Sequence, residues 1–252
     1  MSLLDCTKNI LALTESLSGR PVRVQEDPQI PTLATIAMAR GRAPMHLIRY
    51  RPIPQRQPDY HICYQCGFVV RLFENPPESR FDFASTDLAS EKMDSLLADG
   101  ALAPQVRAMK STLLNGLMTQ LRSIPIGLRI DDWLWSLCPD LRAEQIASAH
   151  IQLQQNAQGL SPGIRKMFPQ KVVNANTAMN AAFAMFWAEK LEDASISLPY
   201  RSIGADADGR ALLAISNKLD AAARNDWALV DAWAEELGLR GWHQWIPYTL
   251  ED

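Results

Sequence analysis

The sequence predicts an α+β fold, in which a small N-terminal region of helices and strands precedes a predominantly helical C-terminal region. Two short segments alternate apolar and polar residues with a period of two, as half-buried strands do. An apolar run follows at 60–73, and beyond about residue 87 helical periodicity replaces the strand pattern. We therefore expect an α+β region at 1–86 and a helical region at 87–252, packed together as one compact unit.

Composition and charge exclude several classes of protein. The chain has 252 residues, of which 47% are hydrophobic and 21% charged, which suits a soluble globular protein with a sizeable core. Its net charge of -3 gives no electrostatic reason to expect nucleic acid, which normally requires a basic face, so we expect no nucleic-acid partner. Neither a signal-peptide pattern nor a membrane-length apolar run is present. We expect a cytoplasmic protein with no membrane partner.

The N-terminal elements can be predicted in order. Leucines and Ile10 recur near helical spacing over 3–18, and Gly19 ends this first helix. Residues 21–25 alternate as a strand, and a small apolar segment follows at 30–39. Residues 44–52 alternate again and predict a second strand, which Pro52 terminates.

The central element is a helix over Tyr60–Phe73, which is apolar on nearly every side and is therefore expected to be buried. Within it, His61 and Gln65 stand four residues apart on one face. That spacing is the one at which a zinc-protease helix presents two histidine ligands. Here the motif contains Ile62 and Gln65 in place of the usual glutamate and second histidine.

Helical patterns fill the remaining chain, separated by loops rich in glycine and proline. The predicted loops include 125–127, 159–163 and 204–209. The predicted helices are 87–98, 104–124, 130–137, 141–158, 171–191, 210–222 and 225–237.

The order of helix, strand, small segment, strand and apolar histidine-bearing helix resembles the small gluzincin-type metallopeptidases, particularly the ImmA/IrrE-like family. The resemblance covers roughly residues 1–75. It implies a zincin-like unit in a bacterial protein, with His61 as first ligand, Ile62 at the general-base position and Gln65 as second ligand. It also implies an acidic third ligand on a later helix, for which Glu74, Glu78 and Glu91 are candidates that no motif selects.

Two of the three motif positions do not suit hydrolysis. Zinc proteases need three protein ligands, a bound water and a carboxylate that accepts the proton of that water. Ile62 cannot accept a proton, and the amide oxygen of Gln65 is a poor zinc donor. The sequence therefore favours a catalytically inactive metallopeptidase-like protein, with no zinc expected, that acts by binding or regulation with an unidentified protein partner. An active metal-dependent hydrolase with a non-standard site around His61 is the alternative.

A further alternative is a thiol redox protein that uses Cys63 and Cys66. A Cys-x-x-Cys pair at an exposed helix start can exchange disulfides, but this pair lies within an apolar run and is expected to be buried and inert. A zinc site made of His61, Cys63 and Cys66 would lack a second spaced ligand pair. Cys6 and Cys138 are isolated in the sequence, and free thiols are expected throughout.

The other candidate sites are acidic pairs and an aromatic tail. The segment 206–209 is similar to a calcium loop but lacks its closing glutamate, so its acids are interpreted as helix caps before Arg210. Asp131 and Asp132 are interpreted as a cap pair at a helix start. All seven tryptophans follow residue 130. In the tail, Trp242, Trp245 and Tyr248 either dock on the chain's own core or present a surface to a partner.

Overall fold

The computed structural model describes residues 3–54, 56–100 and 102–250, and confirms the α+β class. The N-terminal elements are α1 (Asp5–Ser18), β1 (Val22–Glu26), β2 (Ala34–Ala37), β3 (His46–Tyr50) and α2 (Asp59–Phe73). The following elements are β4 (Phe81–Ser85), α3 (Asp87–Leu97), α4 (Pro104–Arg107), α5 (Lys110–Leu137), α6 (Arg142–Gln158), α7 (Pro162–Met167), α8 (Gln170–Lys190), α9 (Leu198–Arg201), α10 (Asp206–Lys218), α11 (Asp226–Glu236) and β5 (His243–Pro247). No helix within the described ranges has both the length and the apolar character needed to span a bilayer.

The first three strands form one sheet in the order β1-β3-β2. β1 runs parallel to β3, whereas β2 runs antiparallel to it and forms an edge of the sheet. Ile48 in β3 pairs with Val24 on one side and Ile36 on the other, and it is fully buried. Helix α2 packs against α1 and also contacts β2 and β3. The two predicted strands and the central helix are confirmed, while β2 occupies the segment that was predicted only as small and apolar.

Helix α2 packs closely against α5 at one position that has no side chain. A Cβ added at Gly67 would meet Cγ2 of Ile130 at 2.5 Å, so the glycine allows α5 to approach closely. Ile62, Val69 and most other apolar positions of α2 are buried.

Two predicted features of the C-terminal region are wrong. Residues 125–127 do not form a loop, because α5 continues through a buried Pro125 to Leu137. A proline removes one helical hydrogen bond, and burial of the surrounding apolar residues offsets that cost. Only helices were predicted after residue 87, but a strand, β5, lies near the end of the chain and pairs with β4 to form a two-stranded sheet. Phe83 on β4 stacks on His243 of β5, with ring centroids 4.8 Å apart.

By its internal contacts the chain divides into two compact units. One comprises Met1–Asp82, Arg129–Ser148 and Pro247–Asp252, and includes an apolar cluster of Val69, Phe73 and Tyr248. The other comprises Phe83–Leu128 and Ala149–Ile246, and contains a large helical core that includes the fully buried Trp233 and Met179.

Candidate functional site

The N-terminus of α2 carries two carboxylates. Asp59, in the first turn of α2, is fully buried, and its Oδ1 accepts the backbone N–H of Leu4 at 2.8 Å. Oε2 of Glu144, on α6, accepts the backbone N–H of Tyr60 at 3.1 Å. A helix N-terminus favours negative charge because its first N–H groups lack helical partners. Both carboxylates therefore stabilise the start of α2, and one of them comes from a distant part of the sequence.

The environment of Glu144 shifts its proton affinity. Burial raises the pKa of Glu144, and the nearby Asp59 charge raises it further, while the bond from Tyr60 and the charge of Arg56 lower it. The net shift is upward, so this carboxyl group takes up a proton more readily than an exposed glutamate.

A buried hydrogen-bond network extends from Tyr60 to α5 and α6. The Tyr60 hydroxyl donates to Oδ1 of Asp131 at 2.8 Å. The side-chain amide of Gln145 donates to the same oxygen at 3.0 Å and to the Asp131 carbonyl oxygen at 2.8 Å. Burial raises the pKa of Tyr60 far above its ordinary range, and the Asp131 charge adds to the shift. Tyr60 is therefore a neutral donor to a buried carboxylate.

Two acceptor atoms beside this network have no hydrogen-bond partner among the described residues. They are Oδ2 of Asp59 and Oε1 of Gln145, and both side chains are fully buried. Unpaired buried acceptors are uncommon, because each loses its hydration without compensation.

One face of α2 is less buried than the rest. Its residues His61, Gln65, Phe68 and Leu72 are half-buried, whereas Ile62 is fully buried. We call these four half-buried residues the α2 stripe. They recur at intervals of four, three and four, which places them along one side of a helix. His61 and Gln65 therefore share a face, as their spacing predicted.

The imidazole of His61 is held in its neutral form. Burial lowers its pKa to about 4, and the positive charge of Arg56 contributes to the shift. The Tyr60 and His61 rings lie close, with centroids 5.3 Å apart.

The side chains around His61 do not fit a zinc-protease centre. No group of three or more His, Cys, Asp or Glu side chains in the described ranges is arranged to hold a metal ion. Ile62 occupies the general-base position with its side chain in the core. Of the candidate third ligands, Glu74 follows the far end of α2, Glu78 lies in the next turn and Glu91 is on α3, all three exposed. The donor set thus lacks both a ligand triad and a base.

Cys63 and Cys66 are fully buried, as the apolar run predicts. The Cys63 thiol donates to Oγ1 of Thr7 at 3.5 Å. Burial raises the pKa of Cys63 strongly and that of Cys66 to about 12. Disulfide exchange requires an accessible thiolate, which neither group provides.

The aromatic tail lies against its own chain. Trp242 and Tyr248 are buried, and Trp245 is half-buried. The Trp245 indole N–H donates to Oδ1 of Asp231 at 2.9 Å, and Nε2 of His243 lies 2.8 Å from the same oxygen. Trp242 and Tyr248 are therefore packed into the core of their own chain and do not present a surface to a partner.

The acidic pairs occupy different places from those predicted. Asp206 and Asp208 lie inside the first turn of α10 rather than before it, and Asp206 pairs with Arg210 at 2.5 Å. This bond and charge lower the pKa of Asp206. The interpretation of Asp131 and Asp132 as caps is wrong, because α5 begins at Lys110 and is continuous through them.

Sequence reasoning missed Asp59, Tyr60, Glu144 and Gln145 as parts of the site. Pro58 directly before Asp59 was a usable signal, since proline followed by an acidic residue is typical of a helix start. Nothing in the sequence pairs Glu144 or Gln145 with α2, because those contacts depend on tertiary packing. No family model, curated protein or solved structure matches the chain.

Proposed function

We propose that the protein is a catalytically inactive, metallopeptidase-like protein that acts by binding a protein partner. The burial of Ile62 carries this proposal: the position that would hold a general base is used for core packing. The ImmA/IrrE-like resemblance supports it through the order of α1, three strands and α2. Within this proposal, the resemblance implies a bacterial protein. The net charge and the sequence pattern of the chain favour the cytoplasm, without a nucleic-acid or membrane partner.

The proposed binding surface combines the α2 stripe with the edge strand β2. Leu72, from the stripe, and Ile36, from β2, both pack against the cluster of Val69, Phe73 and Tyr248. An edge strand has unpaired backbone groups on its outer side, and an extended peptide can pair with them. The α2 stripe adds two polar side chains, His61 and Gln65, at its N-terminal end and two apolar ones, Phe68 and Leu72, at its C-terminal end. We propose that an extended segment of the partner occupies this surface.

The surface can be tested by photocrosslinking in cells that express the protein. A photoreactive phenylalanine analogue at Gln65 should crosslink to a partner, because this side chain lies on the stripe. The same analogue at Gln244, an exposed position on β5, is the matched control. Equal crosslinking from both positions, or none from Gln65, would contradict this placement.

The lack of catalysis can be tested with unstructured peptides and added zinc. We expect no hydrolysis, because neither a base nor a ligand triad is available. Hydrolysis that His61→Ala abolishes and His150→Ala retains would overturn the proposal, since His150 is an exposed histidine on α6.

A further inference from the structure

One face of the three-stranded sheet is less buried than the other. The fully buried ring of His46, on β3, lies edge-on against Phe73 of α2 with ring centroids 5.9 Å apart, so α2 covers the face that also carries the buried Ile48. Successive side chains of a strand point to opposite faces. The other face, which we call the outer face, therefore carries Arg23, Gln25, Thr35, Ala37, Leu47 and Arg49. None of these six residues is buried, and three of them are exposed.

The strand register arranges the outer face in two rows. Arg23, Leu47 and Ala37 form one row, and Gln25, Arg49 and Thr35 form the next. Arg23 and Arg49 are therefore on neighbouring strands and two positions apart. With strands about 4.8 Å apart and a rise of about 3.3 Å per residue, their Cα atoms are separated by about 8 Å.

The guanidinium group of Arg49 keeps hydrogen-bonding capacity that the chain does not use. Its Nε has no hydrogen-bond partner among the described residues. Its Nη1 lies 3.5 Å from Oδ2 of Asp27, which is longer than the roughly 2.7–2.9 Å of a strong charge-assisted hydrogen bond. The Arg49 side chain is 42% exposed, so a carboxylate from outside the chain can reach this group.

The charge around the outer face is positive, although the chain as a whole is negative. Residues 20–51 include six arginines, no lysine and two acidic residues, which gives this segment a charge of +4. Because the net charge of the chain is -3, the other residues together carry -7. Complementary charge steers a partner to a surface, and like charge repels one. The segment therefore favours an acidic partner over the same face of a second copy.

We propose that the outer face binds an extended acidic segment of a partner protein, in which two carboxylates, two residues apart, pair with Arg23 and Arg49. Side chains two residues apart stand on the same side of an extended chain, about 7 Å from each other, which is close to the spacing of the two arginines. Leu47 pairs with Arg23 and lies two residues before Arg49, so it offers an apolar contact between them. A single-stranded nucleic acid suits this face less well, because none of the six side chains is an aromatic ring on which a base could stack.

This inference rests on the proposed function, since it takes the partner to be a protein, but it uses residues outside the α2 stripe. Its test involves neither zinc, hydrolysis nor crosslinking from Gln65. If Gln65 crosslinks to a partner and the outer face binds no acidic peptide, the proposed function stands and this inference fails.

The test is a titration of the full-length protein with a synthetic peptide of alternating glutamate and threonine, followed by two-dimensional amide NMR at low ionic strength. The control peptide has glutamine in place of each glutamate. We expect shifts of the amide signals of β1 and β3 around Arg23 and Arg49 with the acidic peptide only, and weaker binding when salt is added. No shifts, shifts confined to other elements, or equal binding of the two peptides would overturn the proposal. Tighter binding of an oligouridine at the same amides would also overturn it, because the occupant would then be a nucleic acid.

Charge-neutralising variants assign the binding to the two arginines. Arg23→Gln and Arg49→Gln should each weaken binding of the acidic peptide by about two- to fivefold, as expected for the loss of one exposed ion pair. Arg240→Gln is the matched control, because Arg240 is an arginine with an 83% exposed side chain outside the sheet, and its loss should leave the affinity unchanged. An equal effect of Arg240→Gln would show that only net charge matters and would contradict the assignment. The shifts mapped on the unmodified protein test the location of the site even if a variant fails to fold.

Discussion

Single side chains at the start of α2 are used for packing and for hydrogen bonds within the chain, which supports the proposal of a protein that binds rather than hydrolyses. Ile62 faces the core, and the neutral His61 is the one imidazole at the motif positions. The polar groups around them are engaged in structure: Glu144 binds the backbone of Tyr60, and Asp131 binds its hydroxyl. Both carboxyl groups are therefore already occupied by hydrogen bonds within the chain, which is a structural use of these side chains.

The first residue-scale prediction concerns the buried network. Tyr60→Phe removes one donor from the buried Asp131 carboxylate and should lower the free energy of unfolding by roughly 2 kcal/mol, as expected for a buried hydrogen bond to a charged group. Urea denaturation of both proteins measures the difference. Tyr50→Phe is the matched control, because the Tyr50 hydroxyl makes an exposed bond of 3.4 Å to Glu26. Equal losses in the two variants would contradict the assigned role of the network.

The second residue-scale prediction concerns His46, which is fully buried in β3 and accepts the backbone N–H of Ala39 through Nδ1 at 3.2 Å. Burial lowers its pKa from 6.5 to about 4, with a contribution from Arg20. Because the folded-state pKa is depressed, the unfolded chain binds the proton first as the pH falls. The stabilisation is complete above about pH 6.5 and is lost progressively towards pH 4, by about 3 kcal/mol in total.

Denaturation between pH 7 and pH 4 in the unmodified protein and in His46→Asn checks this expectation. The asparagine Oδ1 can still accept from Ala39 but does not titrate, so the pH dependence should become shallower. An unchanged slope would show that His46 does not contribute to it. His61 titrates in the same window and leaves a residual slope in the variant.

Among the elements, the contact between α8 and α10 depends most clearly on small residues. A Cβ at Gly209 would lie 2.8 Å from Cβ of Ala181 and 2.9 Å from its backbone carbon. Ala181 and Ala182 are both fully buried in α8. The two helices are therefore in backbone contact at this point, and neither can move aside without disturbing the core.

The element-scale prediction is that Gly209→Ala destabilises the protein by about 1–3 kcal/mol, because the added methyl group overpacks this contact. Gly116→Ala is the matched control. Gly116 lies within α5 and has open space around its Cβ position, so alanine should stabilise the protein by up to about 1 kcal/mol through helix propensity. Thermal denaturation measures both changes. If Gly209→Ala leaves the melting temperature unchanged, α8 and α10 are not in backbone contact at this point.

The elements that could be predicted from sequence are those with a local signal. Apolar residues on every side of α2 predicted a buried helix, and period-two alternation predicted β1 and β3. The course of α5 through Pro125 could not be predicted, because tertiary burial offsets the local preference of proline to end a helix. β5 was missed because its stability depends on pairing with β4 and on the stacking of Phe83 with His243.

At the scale of the whole molecule, the candidate site draws on parts of the chain that are distant in sequence. Residues Arg129–Ser148 belong to the same unit as α2, and they supply Asp131, Glu144 and Gln145 to its N-terminus. Sequence motifs could indicate His61 and Gln65, because both lie on one helix at a known spacing. They could not indicate the carboxylates around them, because no local pattern encodes those contacts.

The metal content of the purified, full-length protein tests the central claim most directly. The protein should be equilibrated with zinc, dialysed and analysed for zinc per chain. Gln65→His serves as a positive control, because it adds a second imidazole four residues after His61 on the same helix face. We predict far less than one zinc per chain in the unmodified protein and a gain in the variant. One zinc per chain in the unmodified protein, lost in His61→Ala and retained in His150→Ala, would contradict the account.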